Sequence, residues 1–301
     1  MIDQRLLDPH EAKAYWANVY GFFRASEGAS EASLLAPVCH PEAAGGVSRL
    51  LNRIQRRAVE HALRFCEPSG GFETLRALDV GCGTGRWSRT LADLGAGVVG
   101  VDLSPDAVSI CRRRVPEGEF ICSDATELAG HVEGRFGLIL SVTVLQHIHF
   151  HEQPLALEQI RKVLAPGGYF VMLEHTRAQG QHMFARSPDG WQEVAGACGL
   201  EPVAFRPYEF LPFSLLLDAV KGSRMGGKLT RYLLRRGVAD LVPQNGEGEV
   251  LRHPLQTLLR TLFRILRTGA IGASYLSEPS FRKLGNPRWA THGTFVFRGR
   301  D

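Results

Sequence analysis

Up to about residue 70, apolar positions recur at helical spacing. Tyr15, Trp16, Val19, Tyr20 and Phe23 predict a helix over 12–23. Leu50, Leu51, Ile54, Ala58, Ala62 and Phe65 line one side of 47–66, with arginines opposite. Ser48 is the candidate cap of that second helix, and Pro68-Ser69-Gly70-Gly71 ends it. Between the two, 28–46 is rich in Gly, Ser, Pro and Ala and reads as a loop.

From residue 75 the pattern changes to short apolar runs alternating with helical stretches. Strands are predicted at 75–80, 97–101, 119–122, 136–141 and 169–173, and helices at 86–94, 104–114 and 154–164. Ser104-Pro105 supplies a cap and a first-turn proline. Continuous apolar strands between helices predict a parallel sheet covered on both faces. A further helix at 189–198 closes at Gly199, and 202–210 and 291–298 read as strands. Between those strands, 211–288 carries helical patches at 212–221, 228–238 and 254–268.

Composition narrows the classes. Of 301 residues 44% are apolar, enough for a core, so disorder is not the default. No apolar run is long enough for a transmembrane span. The opening MIDQRLLDPHEAKAYW is charged and lacks an apolar core, so no secretory signal is expected. Cys39, Cys66, Cys82, Cys111, Cys122 and Cys198 form no CxxC pair, which suits a reducing cytoplasm. The net charge of +4 does not by itself imply nucleic acid, but it is uneven. Residues 211–288 hold thirteen Lys/Arg against five Asp/Glu, about +8, which leaves the rest near −4.

The candidate chemistry centres on Leu78-Asp79-Val80-Gly81-Cys82-Gly83-Thr84-Gly85, where an apolar strand meets an acid and three alternating glycines. Glycines permit positive φ and leave room for a ligand against the main chain. A dinucleotide fingerprint, GxGxxG, needs a glycine at position 86, which is Arg86; the third glycine comes one early, at Gly85. Asp102 ends the second strand, where a carboxylate can accept both hydroxyls of a ribose. Asp124-Ala125 follows the third strand.

This acid-x-Gly-x-Gly-x-Gly pattern resembles motif I of the class I (Rossmann-like) S-adenosylmethionine-dependent methyltransferases, small-molecule type. The resemblance covers roughly 75–210 plus 291–300. It implies an α/β fold: a doubly wound, seven-stranded, mostly parallel sheet with an antiparallel last strand. A helical N-terminal cap (1–70) and a basic helical insert (211–288) between strands six and seven would flank the central domain (71–210 plus 289–301). It also implies S-adenosyl-L-methionine as cofactor, with S-adenosyl-L-homocysteine as product. Asp79 would lie near the cationic methionine end, with Gly81, Gly83 and Gly85 along the cofactor. Asp102, followed by Leu103, would hold the ribose. Asp124 would accept from the adenine amino group, and the Ala125 N–H would reach the ring. The stretch 137–148 is similar to the family's motif at the fourth strand. Amine-methylating members acting on nucleic acids carry Asn/Asp-Pro-Pro-aromatic there; this chain has Ser141-Val142-Thr143-Val144. Metal-dependent members place an Asp where Ser141 stands, so no metal is expected and Ser141 joins the cofactor residues. Pro166-Gly167-Gly168 matches the turn before the fifth strand, and Tyr15 and Trp16 are candidates to close over the cofactor.

Such an enzyme displaces a sulfonium methyl, and an oxygen nucleophile often needs a base. His147, His149 and His151 follow the fourth strand and Glu174-His175 the fifth, both on the ligand-binding edge of an open α/β sheet. His149 and His175 are the better base candidates; His147 in the family's pattern lines the cofactor pocket, and Glu174 is a candidate to orient a histidine. All of them lining the pocket is the plainer reading. In 254–268, Leu255, Leu258, Leu259, Leu262, Ile265 and Leu266 oppose Arg260, Arg264 and Arg267. Three readings stand: a lid helix, a cationic wall for an anionic substrate, or a peripheral membrane patch. The expected function is methyl transfer to a small molecule, at a hydroxyl of a sugar or secondary metabolite, in the cytoplasm. Nucleic acid is not expected as a partner. The alternatives are N- or C-methylation of a small molecule, an RNA or protein methyltransferase docking through the insert, or a non-catalytic cofactor-binding subunit.

Overall fold

The computed structural model describes residues 8–19, 45–177, 183–210 and 290–300. The expectations placed on Tyr20, Phe23, Cys39, the loop before residue 45, the Ser48 side chain and the whole 211–288 insert lie outside these residues. Helix α1 (Pro9–Val19) starts earlier than its apolar pattern predicts. Asp8 and Glu11 exchange backbone N–H bonds at 2.9 and 2.8 Å, a capping box that fixes the start. Helix α2 (Gly45–Cys66) buries Leu51, Ile54, Ala62 and Cys66 and turns Arg53, Arg56, Arg57 and Arg64 to water. Phe65, expected inside, is half exposed and sets its ring edge-on to Tyr169 at 6.2 Å.

The strands and helices then alternate: β1 (Arg76–Val80), α3 (Arg86–Asp93), β2 (Gly97–Asp102), α4 (Pro105–Arg114), β3 (Glu119–Cys122), β4 (Phe136–Val142), α5 (Gln153–Val163), β5 (Leu164–His175), α6 (Pro188–Ala197), β6 (Leu200–Phe210) and β7 (Ala290–Gly299). Across the sheet the order is β3-β2-β1-β4-β5-β7-β6. All pairings from β3 to β5 are parallel, and β7 runs antiparallel to both neighbours. The doubly wound, seven-stranded architecture with an antiparallel last strand is therefore present. Ser104 caps α4 through the Ala107 N–H, with Pro105 in its first turn. Gly199, at φ 79°, follows α6.

One expected boundary is wrong. Ala165-Pro166-Gly167-Gly168 lies inside β5, because Leu164 already pairs with Phe136. The register then shifts before Leu138 meets Tyr169, and Gly167 at φ 71° absorbs the irregularity.

Each face of the sheet carries its own core. Ala77, Leu138, Leu140, Val171, Leu173 and Val296 pack under α2 and α3. Leu78, Val80, Ile139, Phe170, Met172 and Phe297 pack under α5 and α6. Leu138, Ile139 and Leu140 are almost wholly buried on alternating faces of β4, and truncating any to Ala would cost about 2–5 kcal/mol. Two buried faces fix the sheet and leave its carboxyl edge free for loops that carry chemistry.

Candidate active site

The glycine loop leaves the carboxyl end of β1 with Gly81, Gly83 and Gly85 at φ 71°, 53° and 75°. At Gly81 a Cβ would run into the Val144 side chain, so both backbone angle and space demand glycine. The loop is tied down by N–H bonds from Gly81 and Cys82 to the Val101 carbonyl, 2.7 and 3.0 Å. Asp102 accepts from the N–H of Gly83 at 2.8 Å and of Ser104 at 2.9 Å. Burial raises its carboxyl above the ordinary range against these two bonds. Leu103, beside it, is half-buried.

Asp79 is 1% exposed and lies at the head of the loop. One oxygen accepts from the Ser88 hydroxyl at 2.6 Å; the other is buried without a partner. Burial pushes this carboxyl up to about 6, with the Ser88 bonds and Arg86 pulling down and Asp102 pushing up. An orphaned, desolvated carboxylate oxygen fits a cationic ligand group. Positive-φ glycines, Asp79 and Asp102 together fit an S-adenosylmethionine cradle.

Asp124 caps a short 3-10 turn (Ala125–Gly130) by accepting from the Thr126 N–H at 2.9 Å, and Ala125 is half-buried. Its second oxygen meets Lys13 of α1 at 2.9 Å, and Lys13 also meets Glu152 at 2.9 Å. Burial works to raise Asp124, but the Thr126 and Lys13 bonds win and hold it below the ordinary range. The expected adenine acceptor thus shares its carboxylate with Lys13. The same helix sets Trp16 against His147, ring centres 4.2 Å apart, with Tyr15 edge-on to Trp16 and 41% exposed.

At the end of β4, Thr143 has φ 57°, a strained angle for a β-branched residue. Ser141 is buried beside Glu174. The Glu174 oxygens accept N–H bonds from Val144, Leu145 and Gln146 at 3.2, 3.0 and 3.1 Å. Burial still pushes its carboxyl up to about 8. Glu174 therefore anchors the loop after β4, and its oxygens do not orient a histidine. The reason is strand geometry: Glu174 and His175 are neighbours in β5 and point to opposite faces.

The histidines fall into separate groups. His149 packs with His151 at 4.3 Å and Phe184 at 4.8 Å; burial and then His151 hold it below its ordinary value. His147 lies by Trp16 and within 3.2 Å of the Gln146 amide. His175 donates its backbone N–H to Gln146 at 2.7 Å and packs against His292 with the rings tilted by 46°, centres 3.5 Å apart. The sequence reading missed His292. Its Nδ1 meets the Glu209 carboxylate, and Thr291 bridges to the same oxygen at 3.0 Å. Glu209 has φ 59°, and both members of the pair are nearly buried. Neither residue belongs to a local motif; only the antiparallel pairing of β6 with β7 brings them together. Among the described residues, no group of three His, Cys, Asp or Glu side chains is placed to hold a metal.

A family model described as a methyltransferase domain matches residues 77–168. The chain is 30% identical over 169 residues to a ubiquinone biosynthesis O-methyltransferase of Cereibacter sphaeroides, a match covering 48% of this chain and 67% of that protein. A protein of the same name from Parvibaculum lavamentivorans is 34% identical over 140 residues, 45% of this chain and 54% of the relative. Among solved structures, magnesium protoporphyrin IX methyltransferase from Synechocystis PCC 6803 with bound SAH superposes with a TM-score of 0.51. That match has 16% identity and covers 67% of this chain and 93% of the other, a likeness of fold.

Proposed function

We propose a function from one premise: the chain belongs to the class I S-adenosylmethionine-dependent methyltransferases. It is an enzyme, and S-adenosylmethionine is its methyl donor. The reading is O-methylation of a small hydroxylated molecule, the class of chemistry in the relatives' names. The observation that carries it on this chain is the pairing of the glycine loop and orphaned Asp79 oxygen with a Glu–His pair on the same sheet edge.

S-adenosylmethionine supplies a sulfonium methyl that moves in line to a nucleophile. The chain's own residues do the rest. Asp79 takes the cationic amino end, and Asp102, held still by two N–H bonds, takes the ribose hydroxyls. Asp124 and Ala125 would hold the adenine, with Trp16 and Tyr15 of α1 beside His147 as the neighbouring aromatic groups. Glu209 is a positioning residue. Its contact with His292 Nδ1 keeps a proton there and leaves Nε2 with a lone pair. Nε2 then accepts the hydroxyl proton, and His175 packs against the ring at a tilt and limits its rotation.

The test is turnover with ¹³C-methyl S-adenosylmethionine on hydroxylated and amino acceptors, read by NMR of the methylated product. Label on oxygen is the expected outcome. Label exclusively on nitrogen or carbon would overturn the oxygen assignment, and no product together with no cofactor binding in calorimetry would overturn the enzyme reading.

A further inference from the structure

Away from the glycine loop, α2 and the outer strands form an open cleft of about 230 Å³. On the helix, Ile54, Arg57, Ala58, His61 and Arg64 fall on one face at helical spacing. Opposite stand Arg206, Pro207 and Tyr208 of β6 and Thr294 of β7. Three guanidiniums and an imidazole thus line one cleft, and no carboxylate is among its described lining residues. None of the three arginines has an ion-pair partner among the described residues. This differs from Arg89, which is held by both Asp93 and Glu117. Three like charges gathered with no counter-charge among the described residues repel one another, and an oxyanion relieves that cost. Guanidinium forks suit carboxylate and phosphate, and Ile54, Ala58 and Pro207 suit a short hydrocarbon stem. The volume is smaller than that of a drug-sized ligand pocket and suits one anionic group with a short attachment.

The cleft lies next to the Glu–His pair along the same two strands, with Tyr208 lining it and packing against His292, ring centres 5.1 Å apart. Across the two outer strands Arg206 pairs with Thr294 and Tyr208 with His292, and His292 pairs with His175 of β5. Positions 292 and 294 share a face, one two-residue step apart, so the His292 level lies about 7 Å along the strand from the arginine level. A single small molecule spans that step.

We infer that this cleft is the anion site of the methyl acceptor: it takes the carboxylate or phosphate of a small hydroxylated substrate whose hydroxyl reaches His292. The inference rests on the methyl-transfer reading for the role of His292, but not for the binding of the anion. His61 is a built-in reporter. Burial, then Arg206 and Arg64, hold its imidazole below the ordinary value, and an anion that screens those arginines raises it.

The test follows the His61 and His292 ring signals by NMR, at matched ionic strength, with inorganic phosphate, 3-hydroxybenzoate and phenol. The wild type and the Arg57→Ala/Arg206→Ala double variant are compared; both side chains are exposed, so the fold is retained. Phosphate should raise the His61 titration midpoint saturably, by about half a pH unit. 3-Hydroxybenzoate should move both histidines, and phenol at equal concentration should not move His61. The double variant should lose the His61 response at least tenfold in affinity. No saturable His61 shift, or one that survives in the double variant, overturns the anion site. A His61 shift with His292 unmoved by 3-hydroxybenzoate overturns its link to the acceptor. Calorimetry with S-adenosylmethionine separates the two readings. A wild type that binds phosphate but not the cofactor sinks methyl transfer and leaves the anion site standing; cofactor binding without the His61 shift does the reverse.

Discussion

Over β1–β3, ligand-facing polarity is set by a short stretch of chain: Asp79, three glycines, Asp102 and the N–H groups of Gly83 and Ser104. Over β5–β7 it is set by side chains from four separated segments: α2, His175, residues 206–209 and residues 292–294. The first end is pre-formed by backbone and changes little with the identity of most side chains. The second depends on tertiary pairing, and its polarity comes from the side chains themselves. A shared methyl donor and a variable acceptor suit that division.

The sharpest way to break the comparison is His292→Ala. It should lower kcat by about 10²–10⁴ while cofactor affinity stays within twofold. Glu209→Gln should lose less and shift the pH–rate profile, because the ring is no longer held in one tautomer. Stopped assays and calorimetry on the same preparations check this; a parallel loss of cofactor binding would merge the two ends into one. At the other end, Asp102→Ala should weaken S-adenosylmethionine about 100-fold or more, since two backbone N–H groups also lose their acceptor. Unchanged affinity would remove Asp102 from the ribose.

Asp79→Asn sharpens the contrast by separating binding from stability. In the folded chain the carboxyl is pushed up to about 6, above the ordinary aspartate value of 3.8. The favourable contribution of protonated Asp79 is therefore complete below pH 3.8 and lost as pH rises through 6. Above pH 6 the Asn variant should be the more stable, by up to about 3 kcal/mol, with the gap closing towards pH 4. Its cofactor affinity should nonetheless fall about tenfold. Thermal melts from pH 4 to 8 with and without S-adenosylmethionine decide it; a variant that gains no stability at pH 7 contradicts the desolvation account. The smallest effect belongs to Lys13→Met, which releases α1 from Asp124 and Glu152. Because Lys13 is 38% exposed, its two ion pairs are partly screened, and a change of only about threefold in cofactor affinity is expected. A larger change would mean that α1, and not the loop alone, builds the cofactor end.

The sheet and the cofactor end were legible because their signals are local. Strand, acid, glycines and helix follow one another within a few residues, and Asp102 and Asp124 end the next strands in turn. The acceptor end was not. Glu174 and His175 look like partners as neighbours in sequence, yet period-two geometry sends them to opposite faces. Three backbone N–H groups then claim Glu174. His292 carries no motif, and Glu209 sits where a positive φ is not readable from its side chain. The arginines of α2 read as a solvated face; only the arrival of Arg206 on β6 turns them into one wall of a cleft. The boundary of β5 failed for a related reason: Pro166-Gly167-Gly168 is turn chemistry, and the sheet accommodates it as an irregularity within a pairing already begun.

The placement of β7 between β5 and β6 has a consequence for how the chain is made. β6 ends at Phe210, but its partner begins only at Ala290, and among the described residues no other strand pairs with β6 in the sheet. On a ribosome adding residues at about 5–20 per second, β6 emerges on the order of 4–16 seconds before β7 does. During that interval β6 lacks its partner β7. Pro202 and Pro207 lack the N–H that a foreign strand would need, and the exposed charges of Glu201 and Arg206 further oppose such pairing. The outer wall that carries His292 and the arginine cleft thus closes last, so nascent chains acquire the cofactor cradle before they acquire the means to hold an acceptor.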